Sequence, residues 1–226
     1  LLPDPDYQLP PWALTADTDA AGGTRKSRGY GAGGVLGEHW WCYLPWGEAI
    51  NSGAVHSDGV RLDCKMSAWE LVGPLMVLTA GRDLVRNRSL IIQVDNAGSV
   101  AIYQKGWCTS CMLCTTLALA ISEVAAAINC RLEIKKVMRC STLGAEAADA
   151  ISKADFLKLR RLKPLSNMHP AEVPQVLVDW VQRPVEDREL GAGCWPRWGS
   201  TRMSWDTTVR SSRYREIEEM LGKPTF

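Results

Sequence analysis

Four carboxylates stand where folding could bring them together: Asp19 leaving a first apolar run, Glu70 in the first turn of a long helical pattern, Asp95 ending a short β-branched run, and Asp149 in the last helical pattern before a change of composition. Carboxylates held within a few ångström of one another cannot all stay ionised without a neutralising charge, because each raises the pKa of the others. Hard oxygen ligands without His or Cys suit Mg²⁺ or Mn²⁺, which keep several waters and also bind phosphate oxygens. Two such ions about 4 Å apart can generate a hydroxide and stabilise the leaving 3′ oxygen of an in-line phosphodiester displacement. That is nuclease chemistry. Rival chemistries find little support, since His39, His56 and His169 are scattered and no phosphate loop of the GxxxxGK[ST] type occurs.

The elements that must position these acids follow from local pattern. Residues 12–18 read as a first strand, and 29–36 and 38–44 as a second and third, rich in Gly, Val, Trp and Tyr. A long basic loop separates the first two. Residues 67–85 carry apolar side chains at helical spacing, with Ser67 as N-cap and Pro74 predicting a kink or an early break. Residues 89–94 have the composition of a buried central strand, and Asp95 follows it. Residues 96–105 and 111–128 read as helices, 130–137 as a strand and 145–159 as a closing helix. The order β-β-β-α-β-α-α-β-α predicts an α/β fold, a mixed five-stranded sheet flanked by helices.

Each acid also has a structural reading. Ser67-x-x-Glu70 is a capping-box pattern. Asp95-Asn96 could cap the helix that follows. Asp17 lies on the same strand face as Asp19, so spacing leaves the first metal ligand open between the two.

Composition bounds the partners. The formal net charge of +1 and pI near 7.7 exclude a blanket of positive charge, so nucleic acid would be held by a local basic stripe. Candidates for that stripe are Lys105, Arg131, Lys135, Lys136, Arg139, Lys153, Lys158, Arg160 and Arg161, with Lys105 and Arg139 placed nearest the substrate. The pairs Trp40-Trp41 and Trp195 to Trp198 could stack on bases but read first as packing. Eight irregularly spaced cysteines suggest reduced core thiols in an intracellular protein rather than a secreted disulfide framework. Cys108, Cys111 and Cys114 have zinc-like CxxC spacing, yet they lead into a helical pattern and have no second pair or His nearby. The run 111–128 contains Glu123 and several Thr and Ala residues, a buried helix rather than a membrane span. Residues 1–11, with four prolines, read as a linker from an upstream domain; 12–162 form the main domain; 163–226 form a tail with short helices at 171–182 and 211–221.

Five ordered segments carry a family resemblance. Thr18-Asp19-Ala20, Gly29-Tyr30-Gly31-Ala32, Ser67-Ala68-Trp69-Glu70-Leu71, Val94-Asp95-Asn96 and Ala147-Ala148-Asp149-Ala150-Ile151-Ser152-Lys153 together resemble the ribonuclease H domain of retroelement polyproteins. The last is similar to the Ala-Asp-Ala-Leu-Ser-Arg signature that ends this domain in gypsy-like and DIRS-like elements, departing at Ile151 and Lys153. The resemblance implies a ribonuclease H-like fold with three antiparallel strands followed by parallel ones. It assigns metal binding and catalysis to Asp19, Glu70, Asp95 and Asp149, with two Mg²⁺ or Mn²⁺ ions, and contact with the substrate backbone to Asn96. The cellular branch of the family carries a mobile His ahead of its last acid, where this chain offers Arg139.

The activity so implied is endonucleolytic hydrolysis of the RNA strand of an RNA/DNA hybrid during reverse transcription, next to an upstream reverse transcriptase domain in the same polyprotein. Two alternatives stand beside it. A transposase or integrase of the same superfold would show its acids in the order Asp, Asp, Glu, whereas here Glu70 precedes Asp95. A catalytically silent domain would bind nucleic acid without cutting it.

Overall fold

Alternation along three consecutive strands separates the molecule into two faces. β1 (Leu14–Ala20), β2 (Gly31–Leu36) and β3 (Trp40–Pro45) form an antiparallel meander, in which Asp19 pairs with Gly33 and Gly34 with Cys42. The computed structural model describes residues 12–22, 30–51, 65–162 and 168–182. The expected linker 1–11, most of the basic loop and the tail helix at 211–221 lie outside the described residues. Gly37, in the β2–β3 turn, has φ +51°, a conformation that costs a glycine nothing.

After a short helix α1 (Glu48–Asn51), α2 (Met66–Ala80) packs on one face of the sheet, buried along most of its length. Pro74 does not end it; the helix runs on to Ala80 and stops at Gly81, before the single turn α3 (Arg82–Val85). β4 (Ser89–Val94) lies parallel to β1 and pairs Gln93 with Asp17. α4 (Ala97–Lys105) and α5 (Met112–Ala127) then cross over to β5 (Arg131–Lys136), parallel to β4. Leu36, Trp40, Cys42, Leu44, Leu90, Ile92 and Val94 join α2 and α5 in the larger core.

The closing helix divides in two. α6 (Leu143–Ser152) and α7 (Phe156–Arg161) are separated at Ala154, whose φ of +55° leaves the helical region, and Asp155 then caps α7 by accepting from the Lys158 amide at 2.9 Å. Both helices cover the opposite face, where Val35, Ala147, Ile151 and Leu159 form a smaller core with Trp41, Tyr43 and Phe156 at its edge. Trp40 and Trp41 therefore both pack inward, on opposite faces, and neither is a free stacking platform. A two-residue strand β6 (His169–Pro170) adds to the edge of β3, and α8 (Gln175–Gln182) docks Leu177 and Val181 on the larger core.

The sheet order is β5-β4-β1-β2-β3-β6. Three antiparallel strands followed by parallel ones, with helices on both faces, make the ribonuclease H-like arrangement expected from sequence; the sixth strand is an addition to it. Among the described residues no helix is long and apolar enough to cross a membrane.

Two adjacent glycines let helices press on both sides of β2. A Cβ on Gly33 would lie 2.5 Å from the Ala148 carbonyl oxygen and 2.6 Å from the Ser152 nitrogen, both in α6, while one on Gly34 would lie 2.8 Å from Val77 Cγ2 in α2. Gly33 meets backbone that no rotamer change can move. Gly33→Ala should therefore lower stability by about 1–3 kcal/mol, seen as a lower urea midpoint at unchanged slope.

Candidate metal site

Parallel pairing of β1 with β4 sets their carboxyl ends side by side. Asp19 occupies the penultimate position of β1, which runs two residues further than the sequence suggested, and Asp95 follows the last residue of β4. Glu70 reaches the same place from α2. The capping box is not formed: Lys65 is the N-cap of α2, no side chain caps it, and Ser67 lies inside the first turn with its carbonyl accepting from Ser99 Oγ at 3.0 Å. Glu70 is thereby left to face the acids. One carboxylate oxygen from each of Asp19, Glu70 and Asp95 lies within 4.8 Å of the others.

Asp149 approaches from α6 on the other face. It stands outside that three-acid group but is tied to it through Arg139, whose Nε lies 3.3 Å from both Asp95 Oδ2 and Asp149 Oδ1 and whose Nη2 lies 3.7 Å from Asp19 Oδ1. Lys153, one helical turn beyond Asp149, donates to Asp149 Oδ1 at 2.6 Å. Thr18, Asp19, Gln93, Asp95, Arg139 and Asp149 line a cleft.

Asp17 and Asp19 share a strand face and have different surroundings. Asp17 accepts from Thr142 Oγ1, the N-cap of α6, at 3.2 Å, and its carboxylate fills the space that a side chain on Gly144 would need. A negative charge over the first turn of α6 is favourably placed against the helix dipole. Asp19 instead accepts from Ser152 Oγ at 2.5 Å and turns toward Glu70 and Asp95. The structure thus places Asp19 in the acidic group and Asp17 beside it as an anchor for α6.

The other sequence candidates separate. Asn96 caps α4, its side-chain oxygen accepting from the Ser99 amide at 3.1 Å. Lys105 is exposed at the far end of α4, about 13 Å from that cap by helical rise, and does not line the cleft. Arg139 stands in the middle of the acids rather than at the rim. Ser152 and Lys153 were not singled out as partners of the acids, although both lie in the segment that carried the family resemblance.

Burial and mutual repulsion dominate the electrostatics. Burial first, then the charges of Asp19 and Asp95, push Glu70 up to about 9, against a backbone hydrogen bond from Ala20 and the charge of Arg139. Burial also raises Asp19, opposed chiefly by the Ser152 hydrogen bond. Partial burial works against the charge on Arg139, but Asp19, Asp95, Asp149 and Glu70 outweigh it, so its pKa is raised. Glu70 Oε2 is buried without a hydrogen-bond partner among the described residues. An unsatisfied acceptor in an all-oxygen group of this size fits a hard divalent cation.

No protein-family model and no curated protein matches the chain. Among solved structures, the chain is similar to ribonuclease H domains. One is ribonuclease H1 from the halophilic archaeon Halobacterium salinarum NRC-1, with 17% identity and a TM-score of 0.46 over 64% of this chain and 98% of that one. Another is the N-terminal ribonuclease H domain of a Mycobacterium tuberculosis protein, solved as a fusion with maltose-binding protein, with 17% identity and a TM-score of 0.41 over 63% of this chain and 99% of that one.

An acid whose pKa is raised on folding stabilises the fold fully below its unfolded value and loses that contribution as pH climbs through the folded value. For Glu70 the window runs from the ordinary value of 4.5 to about 9. In EDTA, thermal stability should fall across this window, and Glu70→Gln, which cannot ionise, should flatten the fall. Parallel melting curves for both proteins at closely spaced pH would show it; identical slopes would contradict the electrostatic account.

Proposed function

We propose that this chain is a metal-dependent endonuclease that hydrolyses the RNA strand of RNA/DNA hybrids during reverse transcription of a retroelement, joined in its polyprotein to an upstream reverse transcriptase domain. The observation that carries the reading is the grouping of Asp19 and Asp95, at the carboxyl ends of two parallel strands, with Glu70 of α2, whose buried oxygen has no hydrogen-bond partner among the described residues. Asp149, across the cleft, completes the set of acids.

In this reading Asp19, Glu70, Asp95 and Asp149 hold two Mg²⁺ or Mn²⁺ ions, which when bound supply an activated water and charge stabilisation for phosphodiester hydrolysis. The chain's own residues prepare the site. Ser152 fixes one oxygen of Asp19, and Lys153 fixes one oxygen of Asp149. Glu70 gives up its proton on ligation, so metal binding strengthens as pH rises. Arg139, more than half exposed, spreads its charge over Asp19, Asp95 and Asp149. It is free to turn from carboxylate to phosphate when a cation takes its place among the acids. Asn96 and Lys105 meet the substrate backbone further along α4. Selectivity for the hybrid would rest on shape and on 2′-hydroxyls read across the minor groove rather than on base sequence.

The test is cleavage of a labelled RNA/DNA hybrid, beside matched RNA and DNA duplexes, in Mg²⁺, Mn²⁺ or EDTA. The RNA strand of the hybrid should be cut only with metal. Asp95→Asn should lower the rate by more than the roughly 100-fold that outer partners of metal ligands cost. Nicking or joining of DNA would instead indicate transposase chemistry, and equal binding without cleavage by both proteins would indicate a silent domain. Within the same assay, Arg139→Gln should move the Mn²⁺ midpoint severalfold lower, since a cation no longer competes for the acids.

A further inference from the structure

A second group of reactive side chains lies outside the acidic cleft, at the start of α5. Cys111 is the N-cap of this helix, with extended backbone at φ −149° and ψ 103°, and Cys114 is three residues on. N-cap and N3 side chains face each other across the first turn of a helix. Cys114 is 3% exposed and hydrogen-bonds with Cys111. That bond, followed by burial and the neighbouring sulfurs of Cys111 and Cys108, raises the Cys114 pKa, so this thiol keeps its proton. Cys111 is only partly buried, and its Sγ lies 3.9 Å from the ammonium of the buried Lys65. A sulfur beside a lysine ammonium at the start of a helix is in the electropositive, partly exposed kind of surroundings in which reactive cysteines are found. Cys108, just upstream, is held to the first turn of α5 by two hydrogen bonds with Thr115 Oγ1, at 2.8 and 3.1 Å.

We propose that Cys111 and Cys114 are a redox-active dithiol that closes to a reversible disulfide when the protein meets a hydroperoxide. The sulfur of the partly buried Cys111, its proton given up to solvent, attacks the peroxide; an S–O bond forms as the O–O bond breaks, and hydroxide leaves from hydrogen peroxide or an alkoxide from an organic hydroperoxide. Sulfur is oxidised to a sulfenic acid while the peroxide oxygen is reduced. Cys114 then attacks that sulfur. The S–S bond forms, the S–O bond breaks, and the Cys114 proton leaves with the oxygen as water. An external thiol reverses the closure by exchange, leaving the oxidised form of that thiol. The pair is independent of the nuclease reading, although Lys65, against Cys111, starts the helix that carries Glu70.

The whole 226-residue chain, reduced and freed of reductant, would be titrated with hydrogen peroxide and mapped by peptide mass spectrometry after alkylation. The expected product is 2 Da lighter, carries a Cys111–Cys114 link, and returns to the starting mass with dithiothreitol. Cys114→Ser should stop at a Cys111 sulfenic acid that a dimedone probe captures. Cys111→Ser should leave Cys114 unreacted. The proposal is overturned if wild-type protein keeps both thiols while the exposed Cys140 oxidises, or if Cys111 bridges to any other cysteine. It is equally overturned if the purified chain holds an equivalent of zinc that shields these thiols. The wild-type map decides without relying on either variant.

Discussion

Repulsion among buried carboxylates is the constraint around which the rest of this molecule is arranged. Asp19 and Glu70 are almost wholly removed from water, Asp95 only partly, and the three bring oxygen atoms within 4.8 Å of one another. Taking charge out of water beside like charge opposes folding, and it persists only where the surrounding structure leaves no alternative. Here three devices remove the alternatives. Parallel pairing fixes Asp19 beside Asp95. The glycines at 33 and 34 allow α6 and α2 to close on the sheet from opposite faces. Arg139 places one cation against three of the four acids.

The same interaction explains why neighbouring acids on one strand face differ. Asp17 and Asp19 are two residues apart and both buried, so composition and periodicity treat them alike. What separates them is the slope of α6 across the face. Its N-terminal turn, with Thr142 and Gly144, meets Asp17, and its last turn, with Ser152, meets Asp19. A helix N-terminus carries its own partial positive charge and satisfies a carboxylate without further help. The C-terminal turn has no such charge to offer, and Asp19 shares the guanidinium of Arg139 instead.

Much of this architecture was legible because it depends on local signals. The meander, the apolar central strand before Asp95 and the helices between β4 and β5 all follow from period and composition over short windows. The failures were places where tertiary contact overrides a local rule. Ser67-x-x-Glu70 has the pattern of a capping box, but α2 begins at Lys65 and Glu70 is drawn instead into a buried cluster by packing on the sheet. Pro74 lies within a helix whose neighbours on every side hold it in place, so the local tendency to break is not expressed. Ala154 takes a left-handed conformation that no residue type there announces, and this divides the closing helix. Arg139 lies in a segment without periodicity. Its position among the acids depends on contacts to residues far apart in the chain, which spacing does not encode.

Arg139 and a divalent cation answer the same electrostatic demand by different means, and the difference matters for what the cleft can do. A guanidinium on a long exposed side chain neutralises charge diffusely, at 3.3 to 3.7 Å, and makes no hydrogen bond to the buried Glu70 oxygen, which has no partner among the described residues. A small hard ion can satisfy that oxygen and its neighbours at once. The folded chain therefore carries its acids in a state that is tolerated rather than satisfied, with Glu70 retaining a proton to lower the local charge. Metal ligation would remove both compromises together, by taking the proton from Glu70 and the guanidinium from the acids. The freed arginine would then lie at the mouth of the cleft, placed to meet the phosphate that the proposed function would bring there.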